Sequence, residues 1–249
     1  MVVVKYMKYI EISSIETLGT HEGPGVRFVV FTQGCNFNCL YCHNPETKPI
    51  KGGRKIGTKE MMERIDRCRS YFGKEGGVTI SGGEPLLQAK NLIPLFSMLK
   101  KKGVHTALDT NGSVLNQDVK KLLKLTDLVL LDIKHIDPTF HKTVTGKTNE
   151  TTLKFAEYLK ENNIKTWLRY VLVPALTDQT EFLEQLQEHF KRHKNIDRIE
   201  ILPYHTLGIK KYDDLKIDYH LKDTPTPDEK LITKTKKILE KGFSKVTIR

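Results

Sequence analysis

Arg27-Phe28-Val29-Val30-Phe31-Thr32-Gln33-Gly34-Cys35-Asn36-Phe37-Asn38-Cys39-Leu40-Tyr41-Cys42-His43-Asn44 joins an apolar β-type run to a loop holding three of the chain's four cysteines. Three thiols within eight residues describe a metal site rather than a disulfide framework. Thiolate is the soft ligand that iron–sulfur clusters and zinc select. Iron–sulfur clusters normally take four thiolates. A cluster on Cys35-x3-Cys39-x2-Cys42 therefore keeps one iron with an open position, which suits binding and chemistry more than simple electron transfer. The rival reading is a closed Cys3His zinc site completed by His43. Cys68, the fourth thiol, shares an apolar helical stripe with Met61, Ile65 and Phe72, and is expected to be a buried thiol rather than a ligand.

Outward from this loop, strand-like and helix-like runs alternate. Val78–Ser81, His105–Asp109, Leu128–Ile133, Thr166–Val173 and Ile199–Pro203 join Arg27–Thr32 as apolar β-type segments. Between them, Leu92, Leu95, Phe96 and Leu99 share one helical face, as do Leu153, Ala156 and Leu159, and Leu183, Leu186 and Phe190. Pro94 requires its helix to start just before it, since only the first turn has no N–H partner to lose. Near-continuous apolar strands suit a parallel sheet covered on both faces. Six β/α units predict an α/β fold, a partial parallel (β/α)6 barrel. With no repeat or linker, residues 1–249 read as one domain, in which Asp213–Pro227 is the longest irregular stretch, a candidate flap.

Parallel α/β sheets gather ligands at the carboxyl ends of their strands, and polar residues stand where that rule wants them. Ser81-Gly82-Gly83-Glu84 follows one strand and Asp109-Thr110-Asn111-Gly112 another. Asp132 and Lys134 end a third, and His205 lies just past Pro203-Tyr204. A Gly-Gly pair lets backbone approach a ligand closely, and Glu84 beside it could take an amine; an ordinary turn accounts for the pair as well. Asp109 and Asp132 end neighbouring strands, a costly meeting of like charges unless a cation or hydrogen bonds intervene. Lys134 and Arg169 suit a ligand carboxylate, or belong to a structural ion-pair network.

Composition narrows the setting. With 38% hydrophobic and 29% charged residues, the chain reads as soluble and globular. No apolar run approaches the roughly 20 residues of a membrane span. Met1-Val2-Val3-Val4-Lys5-Tyr6 lacks the pattern of a secretory signal, so a cytoplasmic protein with reduced thiols is expected. The net charge of +11 is spread along helices such as that of Lys230, Lys234, Lys237 and Lys241. It reads as solvated surface, with an acidic protein partner or RNA as alternatives.

At the cysteine triplet the chain resembles the radical S-adenosylmethionine enzymes. Gly19-Thr20-His21-Glu22-Gly23-Pro24-Gly25-Val26-Arg27-Phe28, Tyr41-Cys42-His43-Asn44-Pro45, Thr79-Ile80-Ser81-Gly82-Gly83-Glu84-Pro85, Leu108-Asp109-Thr110-Asn111-Gly112 and Leu202-Pro203-Tyr204-His205 resemble the pyruvate formate-lyase-activating enzymes in particular. The resemblance runs from about the first strand to the final helix. It implies a [4Fe-4S] cluster on Cys35, Cys39 and Cys42, and S-adenosylmethionine on its open iron. It also implies a 5′-deoxyadenosyl radical that removes a hydrogen atom from a glycine of a glycyl-radical enzyme, pyruvate formate-lyase.

By position in the matching motifs, Tyr41, His43, Gly83, Glu84, Asp132, Lys134, Arg169 and His205 would meet the cofactor. Asp109, Thr110, Asp132 and the Leu130 carbonyl would hold a monovalent cation. Glu22, Gly23, Pro24 and Gly25 would meet the partner. A flavodoxin- or ferredoxin-type electron donor is implied, with a monomeric activase and no nucleic-acid or membrane partner. His21-Glu22 is a departure, since the family usually carries Val-Asp there. Thr47–Gly53 runs directly toward the first helix, without the Cys-rich ferredoxin-like insert of some relatives.

Overall fold

The structure, a computed structural model, describes residues 9–249; the Met1–Tyr6 start, expected to lack a secretory signal, lies outside them. Nine strands form one sheet: β1 (Tyr9–Gly19), β2 (Arg27–Thr32), β3 (Arg54–Gly57), β4 (Gly77–Gly82), β5 (His105–Thr110), β6 (Leu128–Asp132), β7 (Thr166–Leu172), β8 (Ile196–Pro203) and β9 (Val246–Ile248). Their order is β3-β1-β2-β4-β5-β6-β7-β8-β9. Every pair from β2 to β9 is parallel, while β1 runs antiparallel to both β2 and β3. The six strands expected from the sequence are consecutive within this sheet. Because β3 and β9 end it without pairing to each other, the barrel is open.

The outer layer is helical: α1 (Thr58–Cys68), α2 (Ala89–Lys101), α3 (Gln117–Leu123), α4 (Pro138–Thr145), α5 (Glu150–Glu161), α6 (Thr180–Phe190), α7 (Ile209–Leu215) and α8 (Glu229–Leu239). On α2, Leu92, Leu95, Phe96 and Leu99 are fully buried, each contributing about 1.5–3 kcal/mol. Pro94 is the sixth residue of α2 rather than a first-turn residue. The Lys90 carbonyl therefore lacks its intrahelical partner, a loss outweighed by that buried face. Cys68 packs against the core at the end of α1, beside Met61 and Ile65.

Alternation along the strands separates two environments. Val78 and Ile80, Val129 and Leu131, and Leu168 and Tyr170 join the core under the helices. Their alternate neighbours face the barrel interior, where Ala107, Leu128, Leu130 and Trp167 form a small apolar floor. Above that floor the same faces carry Asp109, Asp132 and Arg169. The strands are thus not apolar on both faces, and the inner charges build the site.

The edge of the sheet departs from the sequence reading. β1 and β3 were not expected as strands; Gly53 leads into β3 before α1 begins, so the segment after the cysteines adds an edge strand. Asp213–Leu215 close α7, and the remainder of the Asp213–Pro227 stretch is irregular, as expected. It is then tied down by Tyr219, whose hydroxyl donates to the Tyr204 hydroxyl (3.0 Å), and by Tyr204, which donates to the Leu221 carbonyl (3.0 Å). Among the described residues no helix is long and apolar enough to cross a membrane.

Candidate active site

The carboxyl ends of β2 and β4 to β8 share one rim, because these strands all run in one direction. The rim encloses a cavity of about 580 Å³, in the range for a cofactor-sized ligand. Cys35, Cys39 and Cys42 line it together with Tyr41, His43, Gly83, Asp109, Thr110, Asp132, Lys134, Arg169 and His205. Sequence-predicted residues carried by six separate strands thus meet in one place.

The cysteine loop is pinned from both sides. Gly34 N–H donates to the Thr47 carbonyl (2.8 Å) and Cys35 N–H to that of Lys48 (3.2 Å). Asn38 and Leu40 N–H donate to the carbonyls of Thr145 and Val144, and the Tyr212 hydroxyl donates to the Cys42 carbonyl (2.9 Å). Cys35 Sγ accepts from Phe37 N–H (3.5 Å) and Asn111 Nδ2 (4.0 Å). Burial pushes the Cys35 thiol up to about 12 and that of Cys39 up to about 11. Such thiols become thiolates only against a bound metal. Three sulfurs on one loop, N–H donors aimed at sulfur, and adjoining free cavity fit an iron–sulfur cluster with an open iron.

The Gly82-Gly83-Glu84 turn is shaped by the segment it crosses. Gly82 has φ +116°, and a Cβ there would collide with Thr32 backbone. A Cβ on Gly83 would collide with the Gly34 carbonyl. The crossing of this turn over the cysteine loop leaves no room for a side chain at either glycine, and both line the cavity. Glu84 does not line the cavity: it is fully buried, and its carboxylate accepts from Leu86 N–H (2.9 Å), Thr110 Oγ1 (2.6 Å) and Asn111 N–H (2.8 Å). Its own N–H donates to the Gly34 carbonyl (2.8 Å). Glu84 therefore braces the turn beneath the site, and the expectation that it meets an amine is not met.

Opposite charges alternate around the inner wall. Asp109 Oδ2 accepts from Ser81 Oγ (2.7 Å) and lies 2.9 Å from Arg169 Nη1. Lys134 Nζ lies 2.8 Å from Asp132 Oδ2. Burial works against both cations. Asp132, Tyr41 and Cys39 around Lys134, and Asp109, Asp132 and Glu200 around Arg169, outweigh it and raise both pKa values. The two aspartates are thus neutralised within the protein, each by its own cation. In the sheet Asp109 stands opposite Leu130 and Thr110 opposite Leu131. The Leu130 side chain lies in the floor, and Thr110 Oγ1 is engaged with Glu84.

His43 and His205, 162 positions apart, meet with ring centroids 4.1 Å apart, and His43 Nε2 is 3.1 Å from the His205 carbonyl oxygen. Burial, then His205, lowers the His43 pKa to about 4, so the ring is neutral. The Tyr41 hydroxyl is buried with no hydrogen-bond partner among the described residues.

Of the amino-terminal loop, His21 and Glu22 line the cavity, but Gly23, Pro24 and Gly25 do not. The fully buried Arg27 holds them instead: its Nη1 donates to the Pro24 carbonyl (3.1 Å), and Gly23 packs on its side chain. A Cβ on Gly25 would come within 2.5 Å of Gly76 nitrogen. At the amino end of β2, Gly23 is thus buried, Pro24 half-buried and Gly25 exposed. Burial and Asp109 raise the Glu22 pKa, and its Oε2 has no partner among the described residues.

Glu200 was not expected in the site. It is fully buried with Arg169, Arg198 and Arg249 around it at 3.9, 3.8 and 3.2 Å. One acidic residue inside an apolar strand was the only available signal. Asn111, beside the Cys35 sulfur, stood in a quoted motif without a role.

Comparison with known proteins agrees with this geometry. The radical SAM superfamily description matches residues 29–186. Over 230 residues, 92% of this chain and 96% of the relative, the chain is 44% identical to a pyruvate formate-lyase-activating enzyme of Clostridium pasteurianum. It is 47% identical over 227 residues to that of Streptococcus mutans, covering 87% of this chain and 86% of the relative. The crystal structure of a domain of a pyruvate-formate lyase-activating enzyme from Bacteroides vulgatus superposes with a TM-score of 0.59 at 27% identity, covering 70% of this chain and 99% of that one.

Proposed function

The chain belongs to the radical SAM superfamily and, within it, to the pyruvate formate-lyase-activating enzymes, and from that premise we propose how its cavity carries the activity. It is an oxidoreductase that activates pyruvate formate-lyase. With a [4Fe-4S] cluster and S-adenosylmethionine bound, reductive cleavage of the sulfonium supplies a 5′-deoxyadenosyl radical that takes a hydrogen atom from a glycine Cα of that enzyme, leaving a glycyl radical there.

One observation carries the assignment of roles: three thiols open into the cavity that also receives Lys134, Arg169 and His205. Cys35, Cys39 and Cys42 would hold the cluster. Lys134, kept charged by Asp132, attracts the methionine carboxylate, and Arg169 adds to the same field. The Gly83 N–H is bonded to the Thr32 carbonyl (2.9 Å), so this residue offers the methionine ammonium its carbonyl oxygen. His43, Tyr41 and His205 wall the site against water. The residues named here all come from one chain, which accords with a monomeric activase. None of the four cysteines is in a disulfide, which suits a reducing compartment, the cytoplasm. The external electron comes from a flavodoxin- or ferredoxin-type donor. The test is anaerobic incubation of reconstituted protein with pyruvate formate-lyase, S-adenosylmethionine and reductant; a glycyl-radical EPR signal is expected. Its absence while the cofactor is still cleaved would move the partner assignment to another glycyl-radical enzyme.

Asp109, Thr110, Asp132 and the Leu130 carbonyl form the proposed monovalent-cation site. An added cation would relieve the burden that Lys134 and Arg169 otherwise carry alone, leaving them to the substrate carboxylate. Asp132→Asn should then weaken S-adenosylmethionine binding about tenfold and flatten its dependence on sodium or potassium, with cluster content unchanged. Unaltered affinity and salt response would return Asp132 to the role of a partner for Lys134.

Glu22 is the remaining partner-contact candidate. Its unpartnered oxygen faces the cavity, where a peptide N–H would satisfy it. Charge-assisted hydrogen bonds contribute about 1.5–3 kcal/mol. Glu22→Gln should therefore slow activation of pyruvate formate-lyase roughly tenfold or more, with cofactor affinity near normal. Equal losses in both measurements would place Glu22 at the cofactor instead.

A further inference from the structure

We propose that the groove on the outer side of the cysteine loop, between Ile50 and Leu87, is the docking site for an acidic one-electron carrier that reduces the cluster. The inference rests on the cluster reading above and adds the surface through which the electron enters.

This groove, about 720 Å³, is lined by residues that include Tyr9, Gln33, Gly34, Ile50, Lys55, Leu87 and Lys90. Its floor is Gln33-Gly34, one peptide bond from Cys35. That floor is firmly held. Gln88 Nε2 donates to the carbonyls of Gln33 (3.0 Å) and Glu11 (2.7 Å), while Gln33 Nε2 donates to those of Glu46 (3.0 Å) and Pro49 (2.8 Å). The Ile50 backbone closes on Gly34, whose Cβ position lies 3.5 Å from Ile50 Cα. The groove is therefore the back of the same loop whose front carries the thiols.

Its chemistry fits one kind of occupant. Tyr9, Ile50 and Leu87 are 42%, 61% and 41% exposed, an apolar patch outside the core. Lys51, Lys55 and Lys90 surround it, all exposed and without an ion pair among the described residues. The acid lining the groove, Glu11, is turned inward, its Oε1 accepting from Gly52 and Gly53 N–H (3.2 Å each). An apolar centre inside a basic rim complements an acidic protein. The thiol-bearing front must exclude water while it holds substrate, so the opposite face is the one open to a donor. One electron leaves the reduced carrier, which is oxidised by one unit, and the cluster is reduced from the 2+ to the 1+ level; no bond or proton is involved.

The test compares wild type with Lys55→Glu/Lys90→Glu, both loaded with cluster. Cluster reduction is followed by absorbance bleaching, using pre-reduced purified flavodoxin as the acidic probe and dithionite as a small-molecule control. The variant is expected to react with flavodoxin at least about tenfold more slowly at low ionic strength, with the gap closing at high salt. Its dithionite rate and S-adenosylmethionine affinity should match wild type. Lys234→Glu/Lys237→Glu, which changes net charge equally on α8, should react like wild type. Equal flavodoxin rates in the groove variant and wild type would overturn the proposal, as would an equal loss in the α8 variant, which would reduce the effect to bulk charge. Failure of wild type to form any iron–sulfur absorbance would instead sink the cluster reading beneath it.

Discussion

Cys35→Ala, Cys39→Ala or Cys42→Ala should each reduce S-adenosylmethionine cleavage to background, whereas Cys68→Ala should retain both cluster and activity. The asymmetry follows from where the four thiols stand. The first three line one cavity on a loop clamped by Thr47, Lys48, Val144, Thr145 and Tyr212. Loss of one ligand cannot be repaired by a neighbouring residue without breaking that clamp. Cys68 ends α1 on the outer side of the sheet, packed against the core. Iron and sulfide analysis of anaerobically reconstituted protein, with chromatographic detection of 5′-deoxyadenosine, decides the matter. Loss of cluster in Cys68→Ala alone would overturn the ligand assignment. Stoichiometric zinc in place of iron would restore the Cys3His reading, although His43 packs on His205 rather than closing a fourth corner.

The parts of the molecule legible from sequence were those in which local pattern and tertiary role coincide. Six buried parallel strands announce themselves as apolar runs because both neighbours and helices cover them. The rim residues follow from strand polarity alone, since any residue just past such a run lands on the same edge. β1 was hidden for the opposite reason: it lies next to an edge, and Ile10 and Ile12 are buried while Glu16, Thr17 and Leu18 are exposed, so its alternation fades midway. Glu84 and the glycine pair beside it show a deeper limit. A glycine pair looks the same in sequence whether its missing Cβ makes room for a ligand or for another backbone. A buried carboxylate beside a site looks the same whether it faces the cavity or braces the turn beneath. Both distinctions depend on which distant segment crosses overhead, here Thr32–Gly34 and Thr110–Asn111.

That bracing role makes Glu84 the residue whose loss should most damage the fold around the site. Glu84→Ala leaves Leu86 N–H, Asn111 N–H and the Thr110 hydroxyl without their acceptor in a region closed to water. Each of the three orphaned buried groups costs about 1–3 kcal/mol, so a loss of roughly 3–9 kcal/mol is expected, a large share of the 5–15 kcal/mol typical of a domain. The same change loosens the turn that holds the Gly34 carbonyl, so cluster content should fall as well, although Glu84 does not itself line the cavity. The pH dependence separates this account from simple cavity formation. Burial raises the Glu84 pKa to about 7, against the pull of its three hydrogen bonds. Between about 4.5 and 7 the folded protein then binds a proton that the unfolded chain releases. The contribution is fully present below about 4.5 and is lost as pH rises through about 7, a decline of up to about 3 kcal/mol. Glu84→Gln, which cannot ionise, should be less stable than wild type at low pH because its amide opposes Asn111 N–H, yet should lack this part of the decline. Urea denaturation of all three proteins across pH 5 to 8 measures both effects. A Glu84→Ala variant within about 0.5 kcal/mol of wild type, or a glutamine variant with the same pH slope as wild type, would remove Glu84 from this role.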